Sequence, residues 1–243
     1  MPRLFVEPAL LRAGRIEVRG EDHHYLFRVL RLRIGAAVEL FDGEGRQAAA
    51  VVASIDGELG ALEAGEPEPA TPPPGAAITA LIPLLKADRS ADSLAKLVEL
   101  GVSRIVPVVT ARSVVRVDVA RADDRHRRLI AQARAAARQC QSAFVPRIER
   151  ISDWKTAVAT TDAALRLVLW ERADTPLRAL LPAQAPASIA VATGPEGGLE
   201  AAEVDAAIAA GFLAVALGPR ILRAETAPVA VCAILRFLFG DVG

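Results

Sequence analysis

Ala192-Thr-Gly-Pro-Glu-Gly-Gly-Leu199 and Leu217-Gly-Pro-Arg-Ile-Leu-Arg-Ala-Glu-Thr-Ala-Pro228 decide the reading of this chain. Each follows an apolar run and opens into a segment with helical spacing, over 199–210 and 226–239. Glycine-bearing loops at successive strand ends are the layout of a ligand site, because open α/β sheets bind ligands beyond the carboxyl ends of their strands. Glycine permits positive φ and lets a ligand approach bare backbone. A lone glycine pair is more often plain strand-to-helix punctuation. The second loop shifts that balance, since Arg220, Arg223, Glu225 and Thr226 crowd between two apolar segments. Helix capping suits Glu225 and Thr226 but accounts less well for the two arginines.

Working outward, the C-terminal two thirds alternate between strand and helix. Strands are expected over 76–85, 102–109, 165–170, 188–192 and 212–217, and helices over 90–100, 123–141, 199–210 and 226–239. Gly101 and Gly211 follow two of these helices as C-terminal caps. The alternation argues for an α/β domain with an open, mostly parallel sheet. Upstream, Glu66-Pro-Glu-Pro-Ala-Thr-Pro-Pro-Pro-Gly75 is a linker whose prolines deny both helix and ladder hydrogen bonding. We place a boundary there, giving domains at 1–71 and 72–243. The first domain reads as short strands over 4–6, 15–18, 37–41 and 47–55, with a turn at Asp42-Gly-Glu-Gly45. A helix over 22–32 places Tyr25, Val29 and Leu32 on one face. This is a small, mostly β, barrel-like module.

Composition bounds the function. The 243 residues are 52% hydrophobic with a net charge of zero, so a polyanion partner must be met by local patches. Cys140 and Cys232 are far apart, and with His23, His24 and His126 they form no metal-ligand spacing, so no metal is expected. The N-terminus lacks the apolar core of a signal peptide. No window reaches the roughly 18–20 apolar residues of a membrane span; the best candidate, over 227–239, is interrupted by Arg236. A cytoplasmic protein follows as the expectation. The chain also lacks the dinucleotide fingerprint, the phosphate loop and the nucleophile elbow.

Lysine occurs only at Lys86, Lys96 and Lys155, so nearly all positive charge is arginine, and arginine clusters are discounted accordingly. Even so, the segment around Arg112, Arg116, Arg121, Arg125 and Arg128 is far more basic than the rest. Arg127, Arg134 and Arg138 recur at spacings that share one helix face. Together with Arg28, Arg31 and Arg33 of the first domain, and Lys86, Arg89 and Arg220, these are the candidate RNA phosphate contacts.

The two C-terminal motifs resemble the ribosomal small subunit methyltransferase E family, of the SPOUT class. Upstream, Lys96-Leu-Val-Glu-Leu-Gly-Val102 with Pro107, and Arg28-Val-Leu-Arg-Leu-Arg33 through Leu40-Phe-Asp-Gly43, carry the resemblance through nearly the whole chain. It implies a PUA-like N-terminal module and a SPOUT α/β domain whose C-terminal chain threads a trefoil knot. It also implies a homodimer that transfers methyl from S-adenosylmethionine to N3 of one uridine in the 16S ribosomal RNA of the 30S subunit. The cofactor loops would be Leu169 to Glu171, then Thr193, Gly194, Pro195, Glu196 and Gly197, then Leu217, Gly218, Ile221, Leu222 and Thr226. Arg223 would stabilise the uridine anion, and Glu225 would accept or direct the proton. The chain departs from the family at Arg138-Gln-Cys-Gln-Ser142, where a pattern like Glu-Gln-x-Gly-Arg is expected, so no substrate role is carried over to that segment. Two alternatives are a non-catalytic RNA-binding or ribosome-assembly protein, and a SPOUT ribose 2′-O methyltransferase. The retained glycine loops argue against the first, and the PUA-like N-terminus against the second.

Overall fold

The alternation of small apolar and polar residues before the proline-rich linker gives strands with one face in a core. The computed structural model describes residues 1–115, 119–240 and 242. It divides into two compact units, Met1–Pro72 with Ala137–Val145, and Pro73–Ala136 with Pro146–Gly243. The segment Ala137–Val145 therefore belongs with the first unit, although it lies beyond the linker at which the sequence reading divides the chain.

The first unit contains β1 (Arg3–Phe5), β2 (Gly14–Val18), α1 (Gly20–His23), a π-helix (His24–Val29), β3 (Ala37–Phe41), β4 (Arg46–Asp56), β5 (Leu59–Ala64) and β6 (Glu68–Pro69). Its sheet runs β1-β3-β4-β5-β2, with β6 on β4. Leu4, Leu26, Val38, Leu40, Val52 and Leu62 fill the core. The expected turn forms around Asp42, whose Oδ1 accepts from the Glu44 and Arg46 amides at 2.8 and 3.0 Å while Oδ2 accepts from Arg46 Nε at 2.7 Å. The helix expected over 22–32 is instead one α-turn that widens into the π-helix, marked by Leu30 N–H donating to the Tyr25 carbonyl at 2.9 Å. The wider winding changes which residues share a face: Leu26 is fully buried, whereas Val29 is 58% exposed.

The second unit contains β7 (Ala77–Pro83), α2 (Ala87–Glu99), β8 (Arg104–Val109), most of α3 (Val119–Gln139), β9 (Arg147–Ile148), β10 (Ser152–Asp153), α4 (Trp154–Thr160), β11 (Leu165–Leu169), α5 (Leu177–Leu180), β12 (Ser188–Ala192), α6 (Ala201–Ala209), β13 (Leu213–Val215) and α7 (Thr226–Phe239). The strand order is β10-β8-β7-β12-β11-β13, with β9 on β8, and every pairing among the described residues is parallel. Helices cover the sheet, which is why β7, β8 and β12 read as nearly continuous apolar runs. Phe212, Leu81, Val106, Val168 and Ala190 pack in one cluster with Trp154 and Val158 of α4. Gly101 closes α2 at φ +66°, the left-handed conformation that a helix end favours.

α7 packs on α2, β7 and β12. The residue that interrupts its apolar sequence, Arg236, is buried. Its guanidinium donates to the carbonyls of Leu100 and Gly101, at the end of α2, and of Pro74 and Ala76, where the chain approaches β7. No helix among the described residues is long and apolar enough to cross a membrane.

Candidate functional site

Three loops meet at the carboxyl ends of three adjacent parallel strands. The sheet places β11 between β12 and β13, so the loop after β11 (Trp170, Glu171) sits between the two glycine-bearing loops that the sequence singles out. Together they enclose a cavity of about 570 Å³. Its walls include Leu169 and Glu171 from the first loop. Thr193, Gly194, Pro195, Glu196 and Gly197 come from the second, and Leu217, Gly218, Arg220, Ile221, Leu222, Arg223 and Glu225 from the third. Thr226 begins α7 and is exposed, off the cavity wall. Arg89 joins from the first turn of α2.

The glycines of the second loop have different physical reasons. Gly198 adopts φ +72°, which side-chain-bearing residues rarely do. Gly197 has no such φ; a Cβ there would lie 2.9 Å from Arg112 Cβ. Arg112 Nη1 donates to the Gly197 carbonyl at 3.0 Å, and its Nε lies 3.5 Å from Glu200 Oε1. The Ala111 amide donates to Glu203 Oε1 at 2.8 Å. The glycine pattern thus serves the packing of the loop against the segment after β8 as well as ligand access. Arg112, grouped by sequence with the RNA contacts, is a brace of this loop.

Two residues that line the cavity each have a buried polar atom without a hydrogen-bond partner among the described residues, Trp170 Nε1 and Glu225 Oε2. Glu225 occupies the N-cap position of α7 yet its side chain makes no capping hydrogen bond. Capping therefore does not explain it. Its Oε1 faces Arg89 Nε at 3.9 Å, and Arg89 Nη1 lies 3.7 Å from Glu196 Oε1. Arg223 and Arg220 are exposed at the rim, beside Ile221, an apolar side chain 84% exposed. Trp170 lies within the first expected loop, between Leu169 and Glu171, and the sequence gives it no contact of its own. Its only signal was a polar-tipped aromatic at a strand end.

The basic residues separate by what they already hold. In the first unit Arg28, Arg31 and Arg33 are exposed, and Arg31 adopts φ +54°. Arg138 is half-buried with its guanidinium 4.0 Å from the Tyr25 ring centre, a cation–π contact within that unit. In the second unit Lys86 is exposed, Arg127 pairs with Asp124, and Arg134 is half-buried. Arg125 Nη2 donates to the Leu85 carbonyl at 3.1 Å; burial, then the neighbouring Arg128, lowers its pKa. Arg121 and Arg128 are exposed. Arg116 lies outside the described residues. The basic segment thus offers less uncommitted charge than its composition suggests.

A parallel sheet with a three-loop cavity at its carboxyl edge is the layout of an α/β ligand site, and the family matches make this one an RNA methyltransferase. Residues 72–236 match the RNA methyltransferase domain family and residues 18–60 the RNA methyltransferase PUA domain family. Within that class the chain belongs to the ribosomal RNA small subunit methyltransferase E family. It is 34% identical to the Mycobacterium bovis protein of that name over 233 residues, covering 92% of this chain and 87% of the relative. The Synechocystis protein of the same name is 31% identical, with 97% and 77% covered. A Neisseria gonorrhoeae ribosomal RNA small subunit methyltransferase E bound to S-adenosylmethionine superposes with a TM-score of 0.90 at 29% identity, over all of both chains. A Legionella pneumophila methyltransferase with the same cofactor bound gives a TM-score of 0.91 at 25% identity, over 98% of each chain. The α/β fold and the PUA-like first domain expected from the motifs agree with these matches.

Proposed function

We propose that the protein transfers a methyl group from S-adenosylmethionine to N3 of a uridine in the 16S ribosomal RNA of the small subunit. One observation carries the reading: three loops at the carboxyl ends of adjacent parallel strands line one cavity, and two of its lining residues, Trp170 and Glu225, each hold a buried polar atom, the donor Nε1 and the acceptor Oε2, without a hydrogen-bond partner among the described residues. Buried polar groups are costly unless paired, so these fit a ligand bearing both acceptors and donors. The relatives with bound cofactor support the choice of ligand. The main-chain groups of Thr193 to Gly197, with Leu169, Glu171, Leu217, Gly218, Ile221 and Leu222, would hold it.

S-adenosylmethionine held there would supply an electrophilic methyl group on a sulfonium sulfur, with the thioether as leaving group. The chain must then make the uridine nitrogen nucleophilic. N3 carries a proton at neutral pH, and Glu225 accepts it. Arg223, on the same loop, stabilises the negative charge that spreads onto the flanking carbonyl oxygens. Holding the base against the methyl carbon supplies much of the remaining acceleration. Arg220, Lys86, Arg127 and Arg134 in this unit, and Arg28, Arg31, Arg33 and Arg138 in the first, contact phosphate, so binding weakens steeply with salt.

The protein acts as a homodimer in this reading, supported by Ile234, Phe237 and Leu238 of α7, which are 40%, 66% and 48% exposed. The return of the chain from β13 to pack α7 on β12 and β7 supports a trefoil knot. The test is incubation with labelled cofactor and 30S subunits lacking the modification. 3-Methyluridine is the expected product. Methylated ribose would replace the target, and a folded, cofactor-bound protein that transfers nothing would overturn the reading. Glu225→Gln and Arg223→Ala should each lose turnover, Arg223→Ala with cofactor affinity kept; if both keep normal turnover, the residue assignments fail.

A further inference from the structure

Arg89 is half-exposed and divides its guanidinium between two loops. Its Nη1 is 3.7 Å from Glu196 Oε1 after β12, and its Nε is 3.9 Å from Glu225 Oε1 after β13. Both separations exceed the roughly 2.7–2.9 Å of a charge-assisted hydrogen bond. Other arginines of this unit are held closely: Arg104 Nε donates to Glu149 at 2.8 Å, Arg112 Nη1 to the Gly197 carbonyl at 3.0 Å, and Arg166 Nη1 to the Ala210 carbonyl at 2.9 Å. Arg89 thus neutralises two carboxylates without being fastened to either. Exposed pairs at such separations contribute little. A phosphate takes a guanidinium through two parallel hydrogen bonds and so outcompetes them.

We propose that Arg89 is a positioning residue that couples the arrival of RNA to the readiness of Glu225: it is shared by Glu196 and Glu225 in the free protein, and an RNA phosphate draws it away from both. The inference rests on the function proposed above. Before RNA arrives, the shared cation stands 3.9 Å from Oε1 of the Glu225 carboxylate, whose other oxygen is buried without a partner among the described residues. Once the guanidinium has moved to phosphate, Oε1 is open to the uridine N3–H. Glu196 competes with phosphate for the same guanidinium, and so sets how strongly the RNA must pull.

The distinguishing experiment reads RNA affinity as well as turnover. A fluorescein-labelled 16S fragment containing the target uridine is titrated by anisotropy against wild type, Glu196→Gln, Arg89→Ala and the double variant. Sharing predicts that Glu196→Gln tightens binding about 3- to 10-fold with Arg89 present and changes it less than about 2-fold without it, the non-additivity that a double-mutant cycle isolates. With RNA and cofactor saturating, Arg89→Ala lacks the phosphate contact that positions the target uridine against Glu225, so kcat falls about 10-fold, and Arg89→Lys recovers part of it. Arg89→Gln replaces alanine in the cycle if the alanine variant is unstable. Equal tightening by Glu196→Gln in both backgrounds overturns the proposal, because Glu196 then acts on RNA through its charge alone. Coupled affinities in a protein that transfers no methyl would sink the function and leave the sharing; normal methylation with additive affinities would do the reverse.

Discussion

Replacing Arg236 with methionine keeps an unbranched apolar stem and removes all five guanidinium donors. In the native protein Nε donates to the Leu100 carbonyl at 2.9 Å, Nη1 to Pro74 at 3.2 Å and Ala76 at 3.4 Å, and Nη2 to Gly101. The side chain is only 2% exposed, so these bonds replace hydration almost completely. Hydrogen bonds to a charged group contribute about 1.5–3 kcal/mol each, which puts the four together at about 6 kcal/mol on the low side. Against this, the folded state no longer has to desolvate a guanidinium, which returns several kcal/mol. The Ala76 contact is fully buried while the other three border solvent, so water recovers part of the loss at α2 and at Pro74. We expect a net destabilisation of about 3 kcal/mol, within the range for breaking a buried ionic network.

For a unit of this size 1 kcal/mol moves the melting temperature by about 2–4 °C, so Arg236→Met should melt about 6–12 °C lower by calorimetry. Arg236→Lys should fall between, since a point charge with three donors reaches fewer of the four carbonyls. A methionine variant melting within about 2 °C of wild type would refute the reasoning: it would mean that the burial cost of the cation cancels its hydrogen bonds, as in buried pairs that tolerate apolar replacement.

Acid should weaken the first unit through Asp42. Burial opposes its charge, but the amides of Arg46 and Glu44 and the Arg46 guanidinium outweigh it and hold its pKa below the ordinary 3.8. A depressed folded pKa gives stability that is present above the unfolded value and lost as pH falls through the folded one, so Asp42→Asn should be about 1–2 kcal/mol less stable at neutral pH. Its urea midpoint should also fall less than that of wild type between neutral pH and pH 3. Burial pushes the Cys232 thiol up to about 12, while Cys140 is half-buried. A thiol reagent at pH 8 should titrate Cys140 first and Cys232 only on unfolding, and two equally fast thiols would contradict the packing of α7. Trp170→Phe deletes the unpartnered donor of this cavity-lining residue and should weaken S-adenosylmethionine binding about 5- to 10-fold by calorimetry; unchanged affinity would remove Trp170 from the site.

The sequence pattern was most legible where one physical demand dominated. β3, β12 and α7 have the bounds their patterns indicate: β12 is apolar on both faces under covering helices, β3 carries Glu39 among the buried Val38, Leu40 and Phe41, and α7 turns one apolar face to the core. β5 escaped notice because Leu59-Gly-Ala-Leu-Glu-Ala64 alternates small residues, although it lies between β4 and β2 in its sheet. Gly60 is small there because a Cβ would clash with the Phe27 ring, a tertiary reason that no local pattern carries. α4 was missed despite a readable signal: Asp153 caps it by accepting from the Thr156 amide at 2.9 Å. The π-helix was beyond sequence periodicity, which assumes α winding. In the cavity, the second and third loops are legible from their glycines, but Trp170 of the first loop, which has none, and the bracing role of Arg112 depend on how the sheet places its loops.

The arginines carry the same lesson into function. In a chain with so little lysine, a guanidinium serves wherever any cation would, so residue type separates nothing. Geometry does. Arg236, Arg125 and Arg112 donate to main-chain carbonyls, and those bonds would have to be broken before any of them met a phosphate. Arg138 lies over an aromatic ring. Arg89 is different in kind, because its partners are two carboxylates at separations too long for a hydrogen bond, and one of these carboxylates is the residue left without its cap at the head of α7. A cation that closely bonds its own backbone rigidifies the site; one loosely shared between acids is placed to be taken by a stronger anion. The cavity combines both, with Arg112 fixing the second loop and Arg89 spanning its opening, so the wall stays preorganised while the charge at its mouth changes hands.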